Sequence, residues 1–296
     1  MSSTINFTMP DDLINAARNR ELILFIGAGL SKNISSDLPL GGQLIGQIAK
    51  VIGMDERILS IHTGGDYQIL AEYLLHTDIY NIVIQELESA INNRMMSAAS
   101  SRSHNLLVEL ETELIFTTNW DFWIEKAFSE NNKHLNIIRK PSDLIDRVGS
   151  GINVYSNKNR QISHPTLIKY HGDFSDPSTL IFSIGSYLDR VIEESPYDIV
   201  LGNALLSKSV LFLGYSFSDL NLRLIWYKLL RHRRKIYETG GRREMPKSFI
   251  FATSQNPISE AWLKRIGIHT IHPDPDPRKT GVALEGLLDL LVEAQK

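Results

Sequence analysis

Two stretches of this sequence set several polar side chains directly behind an apolar run. The first is IFTTNWDF, residues 115–122, which delivers Thr117, Thr118, Asn119 and Asp121 in quick succession. Such a succession puts polar groups at the carboxyl end of a buried strand, which is where an open α/β sheet binds its ligands. Thr118, Asn119 or Asp121 could also simply cap a helix beginning near Trp120, which accounts for one of these residues but not for all four. The second is LIKYHGDFSDPSTLIFS, residues 167–183, in which His171 follows a strand-like run and Gly172 leaves room beside the ring. A histidine there is a candidate general base with a pKa near neutrality. A lone histidine is ordinarily structural, so the catalytic reading requires it to meet Asn119 and Gly27 in space.

Three further apolar runs end in small or polar residues. ELILFIGAGLSKN, residues 21–33, runs into Gly27, Ala28 and Gly29 and then Ser31. A strand that turns into a helix through such a bend presents backbone N–H groups where a phosphate can sit, and Ser31 could add a hydroxyl donor. Glycine also lets another object approach the main chain closely. The dinucleotide fingerprint of hydride-transfer enzymes wants a third glycine, which is missing here. VLFLGYSFSDLN, residues 210–221, ends in Gly214, Tyr215 and Ser216, followed by Ser218, Asp219 and Asn221. FIFATSQNP, residues 249–257, repeats the pattern with Thr253, Ser254 and Asn256. One such end is a capped turn; five describe a crevice for an extended polar ligand such as a dinucleotide.

Strands are expected at 22–26, 113–118, 135–139, 167–170, 180–183, 210–214, 249–253 and 269–272. Several are apolar throughout, the pattern of a parallel sheet covered on both faces. Helical spacing runs from Asp66 to Asn92, Trp120 to Glu130, Leu220 to Arg234 and Gly281 to Gln295. The alternation predicts a doubly wound α/β, Rossmann-like fold. The first two strands lie roughly 85 residues apart, far beyond a simple crossover, so a helical insertion is expected at about 42–110. Polar residues 140–165 read as a loop or lid. With no linker in view, residues 1–296 are expected to form one composite domain.

Composition narrows the class. The chain has no cysteine, which excludes disulfides and thiolate zinc sites and fits a reducing, cytoplasmic setting. A formal net charge of -3 points to no partner class. No leader-like start and no apolar span of roughly 20 residues is visible, so no membrane contact is expected. RHRRK, Arg231 to Lys235, with Arg242 and Arg243 beyond, could contact nucleic acid, but a solvated helix end is the preferred reading. HPDPDPRK, residues 272–279, reads as a surface turn, and no metal is expected.

Taken in order, GAGLS at 27–31, TTNWD at 117–121, HG at 171–172 and GYS at 214–216 resemble the motifs of the SIR2 (sirtuin) family, and of its bacterial SIR2-like branch in particular. The likeness spans about residues 20 to 275 and implies the sirtuin fold. It also implies that NAD+ is the substrate. On that basis Asn119 orients the nicotinamide ribose and the attacking water, Asp121 binds the nicotinamide amide, and His171 is the base. Gly27, Ala28, Gly29 and Ser31 then hold the pyrophosphate, with Thr118, Gly214, Tyr215, Ser216 and Thr253 completing the NAD+ site. The sequence also departs from the deacylating sirtuins: it has no four-cysteine zinc module, no room for one between His171 and Leu180, and Asp37-Leu38-Pro39-Leu40-Gly41 where an arginine-bearing segment is usual. Water is therefore the expected acceptor. The branch implies an NAD+ hydrolase of anti-phage defence. Nearly all the chain reads as the SIR2 core, so control is expected in trans, through a homo-oligomer and a partner such as a HerA-type ATPase ring. An NAD-dependent protein deacylase, a non-catalytic NAD+ or ADP-ribose sensor and a nuclease subunit are the alternatives.

Overall fold

Leu22–Ile26 (β1) is buried at every position and alternates between two cores. Leu22, Leu24 and Ile26 face one apolar cluster, and Ile23 and Phe25 face the other. This is the two-sided burial that a continuous apolar run implies. In the computed structural model, which describes residues 9–34, 38, 43–93, 98–144, 164–217, 220–240, 244–253, 255–272 and 279–296, β1 lies at the middle of a seven-stranded sheet. The other strands are Leu114–Thr117 (β2), Asn136–Ile138 (β3), Thr166–Lys169 (β4), Ser209–Leu213 (β5), Ser248–Phe251 (β6) and Ile268–Ile271 (β7). All pairs are parallel, in the order β3-β4-β2-β1-β5-β6-β7. From β1 the chain places β2 beside it and β3 at the edge, inserts β4 between those two, then returns to place β5 on the other side of β1. Between β1 and β5 the winding therefore reverses, and the carboxyl ends of strands at such a switch are where these sheets bind ligands.

One face of the sheet is covered by Asp11–Arg18 (α1), Arg102–Glu109 (α6), Trp123–Glu130 (α7) and Thr280–Gln295, the C-terminal helix. Between β1 and β2, Leu44–Ile52 (α2), Glu56–Thr63 (α3), Tyr67–Leu75 (α4) and Tyr80–Asn92 (α5) share a third apolar cluster. That cluster takes in Phe174, Leu180 and Phe182 from the segment after β4. Ile184–Ile192 (α8) follows that segment. Pro196–Ala204 (α9), Leu220–Thr239 (α10) and Pro257–Arg265 (α11) cover the second face, and the C-terminal helix is α12. No helix among the described residues is long and apolar enough to cross a membrane.

Three expectations of local structure are corrected. Residues 180–183 form no strand: Ile181 N–H bonds to the carbonyl of His171, and Ser183 already caps α8. Their apolar side chains serve the third cluster instead of a ladder. The helix expected from Asp66 to Asn92 is two, broken after Leu75, where His76 ends the first and Ile79 precedes the second. The bend after β1 leads into a single 3-10 turn, Ser31–Asn33, and not into an α-helix, so no long helix dipole stands behind it. Of the expected 140–165 loop, residues 145–163 lie outside the described residues, as do Asp37, Pro39, Leu40, Gly41, Ser218, Asp219, Ser254, Arg242, Arg243 and 273–278.

Candidate active site

The site grows from the registers of β1, β2 and β4. Thr117 pairs with Ile26 on one side and Lys169 on the other, so the residues two further on, Asn119 and His171, leave neighbouring strand ends. Thr117 is structural: its hydroxyl donates to the Ile26 carbonyl (3.0 Å) and accepts from the Asn119 N–H (3.1 Å). The backbone of Thr118, a half-buried residue, bonds to the same carbonyl at 3.3 Å. The segment is thereby stitched to β1 before it reaches Asn119.

Asn119, Asp121 and Ser31 meet. The Ser31 hydroxyl donates to Asp121 Oδ2 at 2.7 Å and accepts from Asn119 Nδ2 at 3.3 Å. A carboxylate only accepts, so the serine proton must go to Asp121, and its lone pair faces the amide N–H of Asn119. This fixes the amide: Asn119 Oδ1 is buried and has no hydrogen-bond partner among the described residues. Asp121 also accepts from the Trp123 N–H through Oδ1, at 3.2 Å. Asp121, one residue before the N-cap Phe122, therefore holds the first amide of α7 and belongs to the polar cluster at once. Ser31, expected to donate to phosphate, has its proton committed to Asp121.

The bend itself holds a second surprise. Gly27 N–H bonds to Leu213 O, and Gly29 N–H to Gly214 O, both at 2.9 Å. A Cβ on Gly27 would stand 2.6 Å from the Gly214 carbonyl, and one on Gly29 2.8 Å from it. Gly214, at φ +62°, would place a Cβ 2.1 Å from Leu30 N. The object that approaches this glycine bend is thus the exit of β5, main chain against main chain. Of the bend's amides, that of Ala28 is not consumed by the fold among the described residues. The Tyr215 ring packs on Phe25 and Phe217, Ser216 is exposed beside it, and Thr253 stands exposed at the end of β6. Among the described residues no hydrogen bond joins Thr253 to the Asn119 cluster.

His171 is buried, with its ring edge-on to Tyr187 (5.5 Å between centroids) and tilted against Tyr170. Burial first, and then the nearby Arg190 charge, push its pKa down to about 3. The expectation of a base titrating near neutrality is corrected: the imidazole is neutral throughout the physiological range. Arg190 is held by two bonds to Asp198 (3.0 and 3.1 Å) and lies over the Tyr170 ring at 4.4 Å. Gly172 does not make room for the ring. At φ +69° it sits against the Thr179 carbonyl, 2.2 Å from where a Cβ would be.

Two residues absent from the sequence reading belong here. His104, on α6, is buried; desolvation lowers its pKa to about 4, with Asp121 opposing. Its Nδ1 lies 2.8 Å from the Ser101 hydroxyl. Trp120 packs edge-on against Phe174 and Phe182, and its indole N–H is buried with no partner among the described residues. Neither was legible, because nothing in SRSHN or in the single letter between Asn119 and Asp121 distinguishes a site neighbour from core. The basic stretch divides. Arg233 is buried and bonded to the Pro246 carbonyl, while Arg231, His232, Arg234 and Lys235 are exposed, Arg234 reaching the Arg265 carbonyl. Among the described residues no three His, Asp or Glu side chains gather as a metal site. A hollow of about 70 Å³ beside Arg190 and Asp198 is far too small for a dinucleotide.

The fold is that of a doubly wound α/β protein, with a buried polar cluster at the carboxyl ends of β1 and β2. A model of the SIR2-like domain matches residues 113–271, more than half of the chain, and the protein belongs to that family. The chain is 28% identical over 280 residues to the NAD(+) hydrolase ThsA of Bacillus cereus (strain MSX-D12), covering 88% of this chain and 52% of that protein. The ThsA of Acinetobacter baumannii (strain 532279) is 25% identical over 76% of this chain and 42% of its own. Defense-associated sirtuin 2 of Bacillus subtilis is 22% identical over 96% of this chain and 27% of its own. The chain thus spans about half the length, or less, of the curated relatives it matches. In fold it is similar to the crystal structure of a SIR2 homolog–NAD complex, with a TM-score of 0.53 at 12% identity, over 99% of this chain and 98% of the other.

Proposed function

We propose that this protein is an NAD+ glycohydrolase, converting NAD+ and water to nicotinamide and ADP-ribose as an effector of anti-phage defence. The names of its ThsA and defence-sirtuin relatives support the activity and the setting. The observation that carries the chemistry is the orphaned Asn119 Oδ1. A buried acceptor without a donor costs about 1–3 kcal/mol, and a ribose hydroxyl or a bound water supplies the missing hydrogen. In this reading Asn119 turns that hydroxyl or water toward C1′ of the nicotinamide ribose. The C1′–N bond breaks, nicotinamide leaves with the bonding electrons, and the water oxygen closes onto C1′. His171, neutral and at the neighbouring strand end, receives the proton. Asp121 keeps lone pairs for the nicotinamide amide, and the Ala28 side of the glycine bend receives the pyrophosphate. Gly214, Tyr215, Ser216 and Thr253 line the adenosine side.

The reading extends to control by assembly, with further copies of the chain and with a partner protein such as a HerA-type ATPase. Large apolar side chains stand exposed on α3 and α4, Ile61 and Tyr73 at 79% and 69%, which supports an interface there. The test follows NAD+ and its products by chromatography for the wild type, Asn119→Ala and His171→Ala, with and without partner and with and without an acyl-peptide. Each variant should lose about 10²-fold or more in turnover. Turnover that needs the acyl-peptide would make the protein a deacylase; tight NAD+ binding without turnover, even with partner, would make it a sensor.

A further inference from the structure

A lysine ammonium lies wholly inside the protein within two residues of His171. Lys169, the last residue of β4, has 0% of its surface exposed. Its Nζ donates to the main-chain carbonyl of Asp121 at 2.6 Å, lies 3.2 Å from Glu125 Oε1 on α7, and stands 5.1 Å from the centre of the Phe122 ring. Every one of these partners belongs to the segment that carries Asn119 and Asp121. We propose that the Lys169–Glu125 pair is a positioning device that fixes the Asn119–Asp121 segment against the strand that delivers His171.

Energetics argue against a simple role in stability. Removing an ammonium and a carboxylate from water costs several kcal/mol each, and the mutual attraction repays this only with good geometry and full hydrogen bonding. Here both oxygens of Glu125 are buried and neither has a well-aligned hydrogen-bond partner among the described residues, Oε1 meeting Lys169 Nζ only as a 3.2 Å ion pair, and the carboxyl is pushed up by burial. Apolar side chains of similar volume would hold β4 and α7 together as well. What they could not do is hold one particular carbonyl. Register already sets Asn119 and His171 at adjacent strand ends, but β2 stops at Thr117, and from there to α7 the chain is irregular. Lys169 ties down that irregular stretch at Asp121, from the strand whose continuation is His171. Its contacts are all internal, so it acts through Asn119 and Asp121 and touches no reacting atom.

This inference rests on the NAD+-hydrolase reading, and its test separates the two. The double variant Lys169→Met/Glu125→Gln is compared with the wild type by urea unfolding, by calorimetric ADP-ribose binding and by the kcat and KM of NAD+ hydrolysis. The expected result is an unfolding midpoint equal to or above wild type, unchanged ADP-ribose affinity and a kcat about 10²-fold lower, the scale of an angstrom's misplacement. Lys169→Arg, which keeps a donor near the Asp121 carbonyl, should recover part of kcat. A double variant with wild-type kcat overturns the proposal. So does one that fails to fold, or whose ADP-ribose affinity falls along with kcat, since either makes the pair a prop of the fold. If the wild type binds NAD+ without turning it over, the same variant should lose about tenfold in NAD+ affinity, or 1.4 kcal/mol, while ADP-ribose affinity holds; equal losses overturn it. A wild type that neither hydrolyses nor binds NAD+ sinks the reading beneath, and this inference with it.

Discussion

Ser31 bridges the two groups on which the proposed chemistry depends, which makes it the most informative single side chain. In Ser31→Ala, Asp121 loses a donor and the Asn119 amide loses the acceptor that fixes its orientation. The amide is then free to turn its nitrogen toward the substrate. Stability should fall by only about 1 kcal/mol, read from urea unfolding, while NAD+ turnover falls about tenfold or more. A variant with normal turnover would show that the orientation of Asn119 is set elsewhere. The glycines allow a sharper comparison. Gly64 and Gly65 also have positive φ, but a Cβ on either meets nothing within 4 Å. Gly172 has the same kind of backbone plus the Thr179 carbonyl in the way. Gly64→Ala should therefore cost about 1 kcal/mol, and Gly172→Ala several times as much. Thermal melting of the two variants tests that ordering, and equal shifts would refute the clash.

At the scale of elements, the bundle between β1 and β2 is joined to the segment after His171 through α8. Glu72, on α4, accepts the Gly185 N–H at 2.8 Å, and hydrogen bonds from the Ser183 hydroxyl and from Gly185 hold its carboxyl below the usual range. A carboxylate from one element thus serves the N-terminus of another. Tyr67, also on α4, shares a 3.1 Å hydrogen bond with Tyr187, whose ring lies against His171. Glu72→Ala should lose about 1 kcal/mol, the worth of a cap, and Glu72→Gln, which keeps an acceptor, about half of it. The check is hydrogen exchange along 184–192, where local opening should rise in the alanine variant and the rest of the sheet should stay protected. None of this contact was legible in the sequence. The buried strands were, since LILFI and SVLFL admit no solvent face. Residues 180–183 misled because an apolar run looks the same whether its side chains enter a sheet or an aromatic seam. The glycine bend was legible as a close approach, but its partner, Gly214, lies 185 residues away from Gly29 and only the β1–β5 pairing reveals it.

For the whole molecule, the site's two buried histidines make stability depend on acidity. His104 faces Ser101 and Asp121; His171 faces Tyr170, Tyr187 and Arg190. Folding lowers both pKa values from an ordinary 6.5, to about 4 and about 3. Below 6.5 the unfolded chain takes up protons that the folded protein refuses, so acid favours unfolding. The stabilisation is complete above pH 6.5 and drains away as pH falls toward 4 and 3. Each histidine contributes a slope of about 1.4 kcal/mol per pH unit in that window. The buried Glu125 carboxyl, raised by burial, works in the opposite sense and blunts the fall. Urea unfolding at pH 7.5, 6.5, 5.5 and 4.5 should therefore show little change over the first step and a steep loss over the next two. His104→Gln should reduce the slope by about half, and Glu125→Gln should steepen it. A wild type whose stability is level from pH 6.5 to 4.5 would mean that water reaches both rings, and the dry, neutral imidazole assigned to His171 would have to be abandoned.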